Sequence, residues 1–145
     1  MMYRFLIFSM LILFNLVSAQ KADSLLHVAS MEKDPVKKAE VYLKLVTFTA
    51  QSDSAKALSY LKKADELTPK NHKVGQARLQ NSWGFYEMPK NPIKGKAHHL
   101  KGLEILGNEN SPEAQNLRAM LWTNVVADEQ RIGNAHEAMK VMMNH

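Results

Sequence analysis

The chain has 145 residues, which is enough for one domain, and 46% of them are hydrophobic, which is enough for a buried core. Its net charge of +5 comes from scattered basic residues, with no run of five like charges. The charge therefore indicates a solvated surface, and no nucleic-acid partner is expected. The absence of cysteine excludes disulfides, thiolate metal sites and cysteine nucleophiles.

The first 19 residues have the layout of a secretory signal peptide. Arg4 supplies one positive charge, an apolar run of 13 residues ends at Val17, and the small residues Ser18 and Ala19 follow. A helix needs about 20 residues to span the hydrocarbon core of a membrane, so a cleaved signal is favoured over a retained anchor. We therefore expect cleavage after Ala19 and export to the periplasm or the extracellular space, with no membrane attachment afterwards.

The rest of the sequence predicts an all-α protein. No segment alternates between apolar and polar residues for long, and β-branched residues never cluster. We expect a short helix and a linker over residues 20–34, followed by one helical domain over 35–145. The predicted helices lie near residues 22–32, 35–51, 54–68, 73–88, 93–106, 112–131 and 135–144. The predicted caps are Asp34, Asp53, Asn91, Ser111 and Asn134, and stops are expected at Thr68-Pro69 and Gly107-Asn108.

The third predicted helix carries small residues on its apolar face. Ala57, Leu61 and Ala64 have the spacing i, i+4, i+7, which puts them on one face, and alanines there let another helix approach closely. Pro69 ends the helix. This pattern resembles the tetratricopeptide repeat family, which has an alanine, a bulky residue, a second alanine and a proline at these spacings. Phe48 falls where the family keeps an aromatic residue in the first helix of a repeat.

Two later segments resemble the same repeat. The matching residues of the second unit are Trp83, Gly84, Tyr86, Gly95 and Gly102, with His99 at the bulky position. Those of the third unit are Gly133, Ala138 and Met142. The repeat-marking residues Ala57, Gly95 and Ala138 are 38 and then 43 residues apart, whereas the usual period of the family is about 34. The links between helices are therefore longer than in a standard repeat.

The resemblance implies antiparallel helix hairpins stacked as a right-handed α-solenoid of about three repeats. A different helix-hairpin repeat and an ordinary helical bundle remain open alternatives. In the family, the first helices line a concave groove in which asparagines bind an extended peptide. The residues at corresponding places here are Asn81 and Asn124, and Lys44, Arg78 and Arg118 are expected to add positive charge around the groove. The alternative for the asparagines is a solvent-facing or locally bonded role.

No arrangement of residues predicts catalysis, a metal or another cofactor. His98 and His99 are adjacent, so on a helix they point about 100° apart and do not bind one ion together, and no two histidines have the spacing His-x3-His. We expect His99 to fill space in the core and His98 to lie on the surface. The carboxylates are dispersed along the sequence, with Asp128 and Glu129 facing differently. The sequence therefore favours a binding protein over an enzyme.

The predicted last helix presents an apolar face. Met139, Val141, Met142 and Met143 would expose apolar surface unless further chain or a partner covers them. Our first hypothesis is an exported scaffold that binds a protein or peptide. The second is the extracytoplasmic sensory input region of a bacterial signalling protein, a histidine kinase or transcriptional regulator, whose output module lies beyond this sequence. A lid or cap for another extracytoplasmic protein is the third.

Overall fold

A computed structural model describes residues 20–144, and within that range the chain is all-helical, with no strand. The predicted all-α class is therefore confirmed. The helices are α1 (20–31), α2 (Pro35–Thr49), α3 (Ser54–Leu67), α4 (Lys73–Glu87), α5 (Pro92–Leu106), α6 (Pro112–Ile132) and α7 (Ala135–Asn144). Every boundary lies within two residues of its prediction. The signal peptide predicted for residues 1–19 lies outside the described residues.

The helix starts are fixed by side chains that satisfy the first backbone N–H groups. Asp34 accepts from the N–H groups of Val36 and Lys37, and Asp53 accepts from that of Lys56. Asn91 and Ser111 cap α5 and α6 in the same way, and Pro92 and Pro112 follow them. These four predicted caps are confirmed. One cap was missed, because Nδ1 of His72 accepts from the N–H of Gly75 at 2.9 Å and begins α4.

The ends of two helices depend on glycine. Gly107 follows α5 with φ of 49°, and Gly133 follows α6 with φ of 92°. Residues with a side chain rarely adopt such angles, and glycine adopts them at little cost. The predicted stop at Gly107 is confirmed, and the backbone of Gly133 lets α7 turn back toward α6.

Helices α2 to α7 contact near neighbours along the chain. Each packs against the next, and α4 also packs against α2 on one side and α6 on the other. Among these six helices, pairs further apart, and the pairs α3–α5 and α5–α7, make no close contact. The helices α2, α4 and α6 therefore form a row, and a surface shared by all three is continuous.

Two apolar clusters hold this arrangement together. The first joins α2, α3 and α4, and in it Ala57, Leu61 and Ala64 are fully buried. The second joins α4, α5 and α6 through Ala77, Leu106, Ala114, Leu117 and Leu121. Phe48, which stands where the resembled family keeps an aromatic residue, lies outside both clusters: it is 41% exposed and lies beside Leu25 of α1 near the end of α2. Within residues 20–144, no helix has the length and hydropathy required to span a membrane.

Candidate binding groove

A groove of about 390 Å³ runs across the row of α2, α4 and α6. Its floor is apolar, since Leu43 and Leu117 are almost fully buried there, and its walls are polar. The lining residues are Glu40, Leu43, Lys44, Thr47, Arg78, Asn81, Ser82, Leu117 and Met120. Three of the five residues predicted for a binding groove, Lys44, Arg78 and Asn81, are thus brought together.

The two predicted asparagines are bonded to each other across α4 and α6. Nδ2 of Asn124 donates to Oδ1 of Asn81 at 2.7 Å, and Nδ2 of Asn81 lies 3.5 Å from the sulfur of Met120, which is a weak acceptor. An amide side chain has two donor hydrogens and a carbonyl with two lone pairs. The pair therefore retains capacity to donate from Asn81 and to accept at Asn124. A peptide backbone needs one donor and one acceptor of this kind per residue.

The charges at the groove are balanced. The guanidinium of Arg78 on α4 forms ion pairs with Glu40 on α2 and with Glu113 on α6, so one side chain joins all three helices of the row. Lys44 is exposed and adds a second positive charge. Glu40 lines the groove with both cations, and Glu113 reaches it through its ion pair with Arg78. The positive charge that the sequence predicted around the groove is offset by Glu40 and Glu113.

Arg118 lies away from the groove. Its Nη2 donates to the backbone carbonyls of Gly107 at 2.9 Å and Glu109 at 2.8 Å. These carbonyls belong to the turn between α5 and α6, where the helix no longer satisfies them. The role of Arg118 in the structure is therefore to hold that turn, and it is not brought together with Asn81 and Lys44.

The helices α5 and α6 share a buried polar contact. Nδ1 of His99 lies 2.6 Å from Oδ2 of Asp128, and both side chains are almost completely buried. The carboxylate only accepts, so the ring donates through Nδ1. Nε2 of His99 and Oδ1 of Asp128 are buried without a hydrogen-bond partner in the described residues. A Cβ built on Gly84 would overlap the Nε2 edge of the ring, so this edge packs directly against Gly84, where only a glycine leaves room for it. The predicted packing role of His99 is confirmed.

His98 is half-buried, whereas the sequence predicted a surface position. Its ring stacks on Trp83 with centroids 6.0 Å apart and planes at 19°, and its Nδ1 donates to Oε1 of Gln80 at 2.8 Å. Burial lowers the pKa of His98 below its ordinary value of 6.5, with Glu87 acting in the opposite direction. The two adjacent histidines therefore both have packing partners: His98 contacts α4, and His99 lies between α4 and α6.

A second polar pair lies beside His99 and Asp128. The carboxylate of Glu129 is nearly buried, forms an ion pair with Lys96 of α5 and accepts from Nδ2 of Asn134 at 3.2 Å. The hydrogen bond from Lys96 lowers the pKa of Glu129 below its ordinary value of 4.5, and burial opposes that shift. Neither this pair nor that of His99 and Asp128 was predicted from the sequence. The spacing of Leu121, Val125 and Asp128 at i, i+4, i+7 would have placed Asp128 on the buried face of α6.

An exposed polar contact joins the start of α3 to the end of α4. Nζ of Lys90 donates to Oγ of Ser54 at 2.7 Å and lies 3.5 Å from the ring centroid of Tyr86. Ser54 in turn donates to the Tyr86 hydroxyl at 3.2 Å. The hydrogen bond from Lys90 lowers the pKa of Tyr86. The contact therefore links the two helices.

Among residues 20–144, no group of three or more histidine and acidic side chains is placed to hold a metal ion. No family model matches the sequence, and comparison with curated proteins and with solved structures finds no match either. The candidate site is the groove lined by residues of α2, α4 and α6.

Proposed function

We propose that this protein is an exported scaffold that binds an extended segment of a protein partner in the groove across α2, α4 and α6. In this proposal the hairpins α2–α3, α4–α5 and α6–α7 stack as a right-handed solenoid like that of tetratricopeptide repeats. Export rests on the signal peptide predicted for residues 1–19. The observation that carries the binding function is the hydrogen bond between Asn81, which lines the groove, and Asn124 of the next hairpin, which lies beside it.

The stacking is supported by the contacts between helices. α4 contacts α2 and α6, while the second helices α3, α5 and α7 do not contact one another. Ala57, Gly95 and Ala138, which mark the three repeats in the sequence, are all buried. A row of first helices on one side, with second helices spread apart on the other, suits a curved stack whose inner surface is lined by first helices.

The groove suits an uncharged extended peptide. Asn81 and Asn124 can bond one carbonyl and one N–H of its backbone, and Leu43, Leu117 and Met120 can contact its apolar side chains. Arg78 is already paired with two carboxylates, so an acidic group of the ligand would have to compete with them. Selection would therefore come from shape and backbone hydrogen bonds, and a peptide would not need a negative charge to bind.

The apolar face of α7 favours a second candidate function. Met139, Met142 and Met143 are 60%, 66% and 73% exposed, which is unusual for an end of a helical stack. In this second candidate function, the chain is the extracytoplasmic sensory input region of a bacterial signalling protein, and the output module contacts this face. Both candidates use the groove to bind a ligand, and they differ in whether binding is then passed on to an output module.

The test of the proposed function is capture of partners from the cell envelope, followed by mapping of the bound peptide. The double variant Asn81→Ala, Asn124→Ala should weaken binding of the mapped peptide by about tenfold or more, because two backbone hydrogen bonds are lost. Asn116→Ala is a matched control, since Asn116 is exposed on the same helix as Asn124. Circular dichroism checks that all variants fold.

Equal affinity of the double variant and the original chain would remove the groove from the proposal. An equal loss in the Asn116→Ala control would also contradict it, because the peptide would then bind elsewhere on α6.

A further inference from the structure

One register position changes its surroundings along the chain. The second helix of each hairpin (α3, α5 and α7) has a buried small residue, and the residue four positions later is Leu61, His99 or Met142, respectively. Leu61 is 0% exposed and His99 1%, whereas Met142 is 66% exposed. The first two hairpins are followed by a helix that packs on them, α4 and α6 respectively. Met142 therefore lies on the surface that a following helix buries in the first two hairpins, and here that surface is exposed.

The covered form of this surface is seen where α6 packs on α5. Lys96 and His99 pair with Glu129 and Asp128 of α6. A Cβ built on Gly102 would lie 3.0 Å from Leu121, so the two helices approach closely at that point. Small and polar residues of α5 thus meet a stripe of α6 that is aliphatic over most of its length and ends in two carboxylates.

The corresponding exposed surface of α7 carries apolar side chains where α5 has polar ones. Met139 and Met142 stand one and four residues after Ala138, as Lys96 and His99 do after Gly95. Neither methionine can pair with a carboxylate, whereas both adapt to apolar side chains of varied shape. A helix that covers α7 as α6 covers α5 would therefore need apolar residues where α6 has Asp128 and Glu129.

A groove of about 490 Å³ continues this surface onto α6. Its lining residues are Ala119, Trp122, Thr123, Val126, Val141 and Met142. With 3.6 residues per turn, Ala119, Thr123 and Val126 lie on the side of α6 opposite Leu121, which packs toward α4 and α5. The outer side of α6 and the adjoining side of α7 thus extend the stacking surface beyond the last contact between helices.

We propose that this α6–α7 face binds an amphipathic helix with an uninterrupted aliphatic stripe. The helix would seat in the groove beside Val126 and Met142, in continuity with the way α6 seats on α4 and α5. A carboxylate within the stripe would be buried without a partner, which disfavours it strongly. The apolar stripe of α6 is already buried in the core, so α6 of a second copy is not the occupant. This surface is separate from the groove across α2, α4 and α6.

The test compares two synthetic peptides with the purified full chain. One has the sequence of α6, Pro112–Ile132, and the other carries Asp128→Leu and Glu129→Leu in the same sequence. Fluorescence anisotropy of labelled peptides should show the leucine peptide binding at least about tenfold more tightly, because it buries no unpaired carboxylate. Met142→Glu in the full chain should remove that difference. Met31→Glu is the matched control, since Met31 is 70% exposed on α1.

Equal binding of the two peptides, or binding of neither, would overturn the proposal, as would an unchanged affinity of the Met142→Glu variant. Sedimentation velocity of the full chain alone distinguishes a further occupant. If the chain forms a dimer that Met142→Glu dissociates and Met31→Glu does not, the face binds a second copy and the proposal is wrong.

Discussion

The first and second hairpins make the same kind of contact with different chemistry. In the first, Ala57, Leu61 and Ala64 form a fully apolar contact. In the second, Gly95, His99 and Gly102 stand at the corresponding positions. The bulky residue is fully buried in both, so the register of the hairpin is preserved while the side chain at its centre changes from apolar to polar.

The difference shows what a polar side chain requires at this position. Leu61 needs only apolar neighbours, whereas His99 needs a hydrogen-bond partner, and Asp128 of α6 supplies it. His99 also needs Gly84 opposite its ring, because a side chain at that position would overlap it. The second hairpin therefore requires the following helix both to bury His99 and to supply its hydrogen-bond partner. The first hairpin requires the following helix mainly to bury apolar surface.

The largest expected effect tests the apolar contact. Leu61→Ala should lower the free energy of unfolding by about 2–5 kcal/mol, since it removes buried methyl groups and leaves a cavity. Met142→Ala at the same register position should lower it by less than about 0.5 kcal/mol, because that side chain is largely exposed. Urea denaturation followed by circular dichroism measures both. Equal losses would show that the third hairpin is covered in solution.

The next effect tests the polar contact. Asp128→Ala should lower the free energy of unfolding by about 1–3 kcal/mol, because it leaves His99 buried without its partner. The double variant His99→Leu, Asp128→Val copies the apolar chemistry of the first hairpin, and it should recover most of that loss. The same denaturation experiment measures both variants.

A double variant less stable than Asp128→Ala alone would contradict this view of the second hairpin. It would mean that packing of the histidine ring against Gly84 contributes more to the free energy of unfolding than its hydrogen bond does. The apolar contact of the first hairpin could then not replace the polar contact of the second.

The smallest effect tests the second polar pair through its pH dependence. The pKa of Glu129 is lowered in the folded state, so its contribution to stability is present above its ordinary value of 4.5 and is lost as the pH falls through the lowered value. At neutral pH, Glu129→Gln should lower the free energy of unfolding by about 1 kcal/mol. The difference from the original chain should shrink as the solution is made acidic, which denaturation at a series of pH values measures.

Glu137→Gln provides the control for that series. Glu137 is exposed and lies 3.8 Å from Lys140, a surface pair that contributes little. A difference for Glu129→Gln that stays constant down to acidic pH would show that the Lys96 pair does not stabilise the fold.

The groove could be predicted in part from the sequence. Asn81, Lys44 and Arg78 do line one surface, because their helices were placed correctly and first helices lie side by side. The bond between Asn81 and Asn124 could not be predicted, since it depends on how closely α4 and α6 approach. The pairing of Arg78 with Glu40 and Glu113, and the use of Arg118 in a turn, also depend on residues distant in sequence.

The sequence by itself determined the helices of residues 20–144 and four of their caps. These features are local, because a capping side chain and the N–H group it accepts from lie within three residues. Only the tertiary structure decided that His99 meets Asp128 and that Arg78 is neutralised. Each of these depends on which helix lies opposite, and burial and pairing are properties of two surfaces in contact.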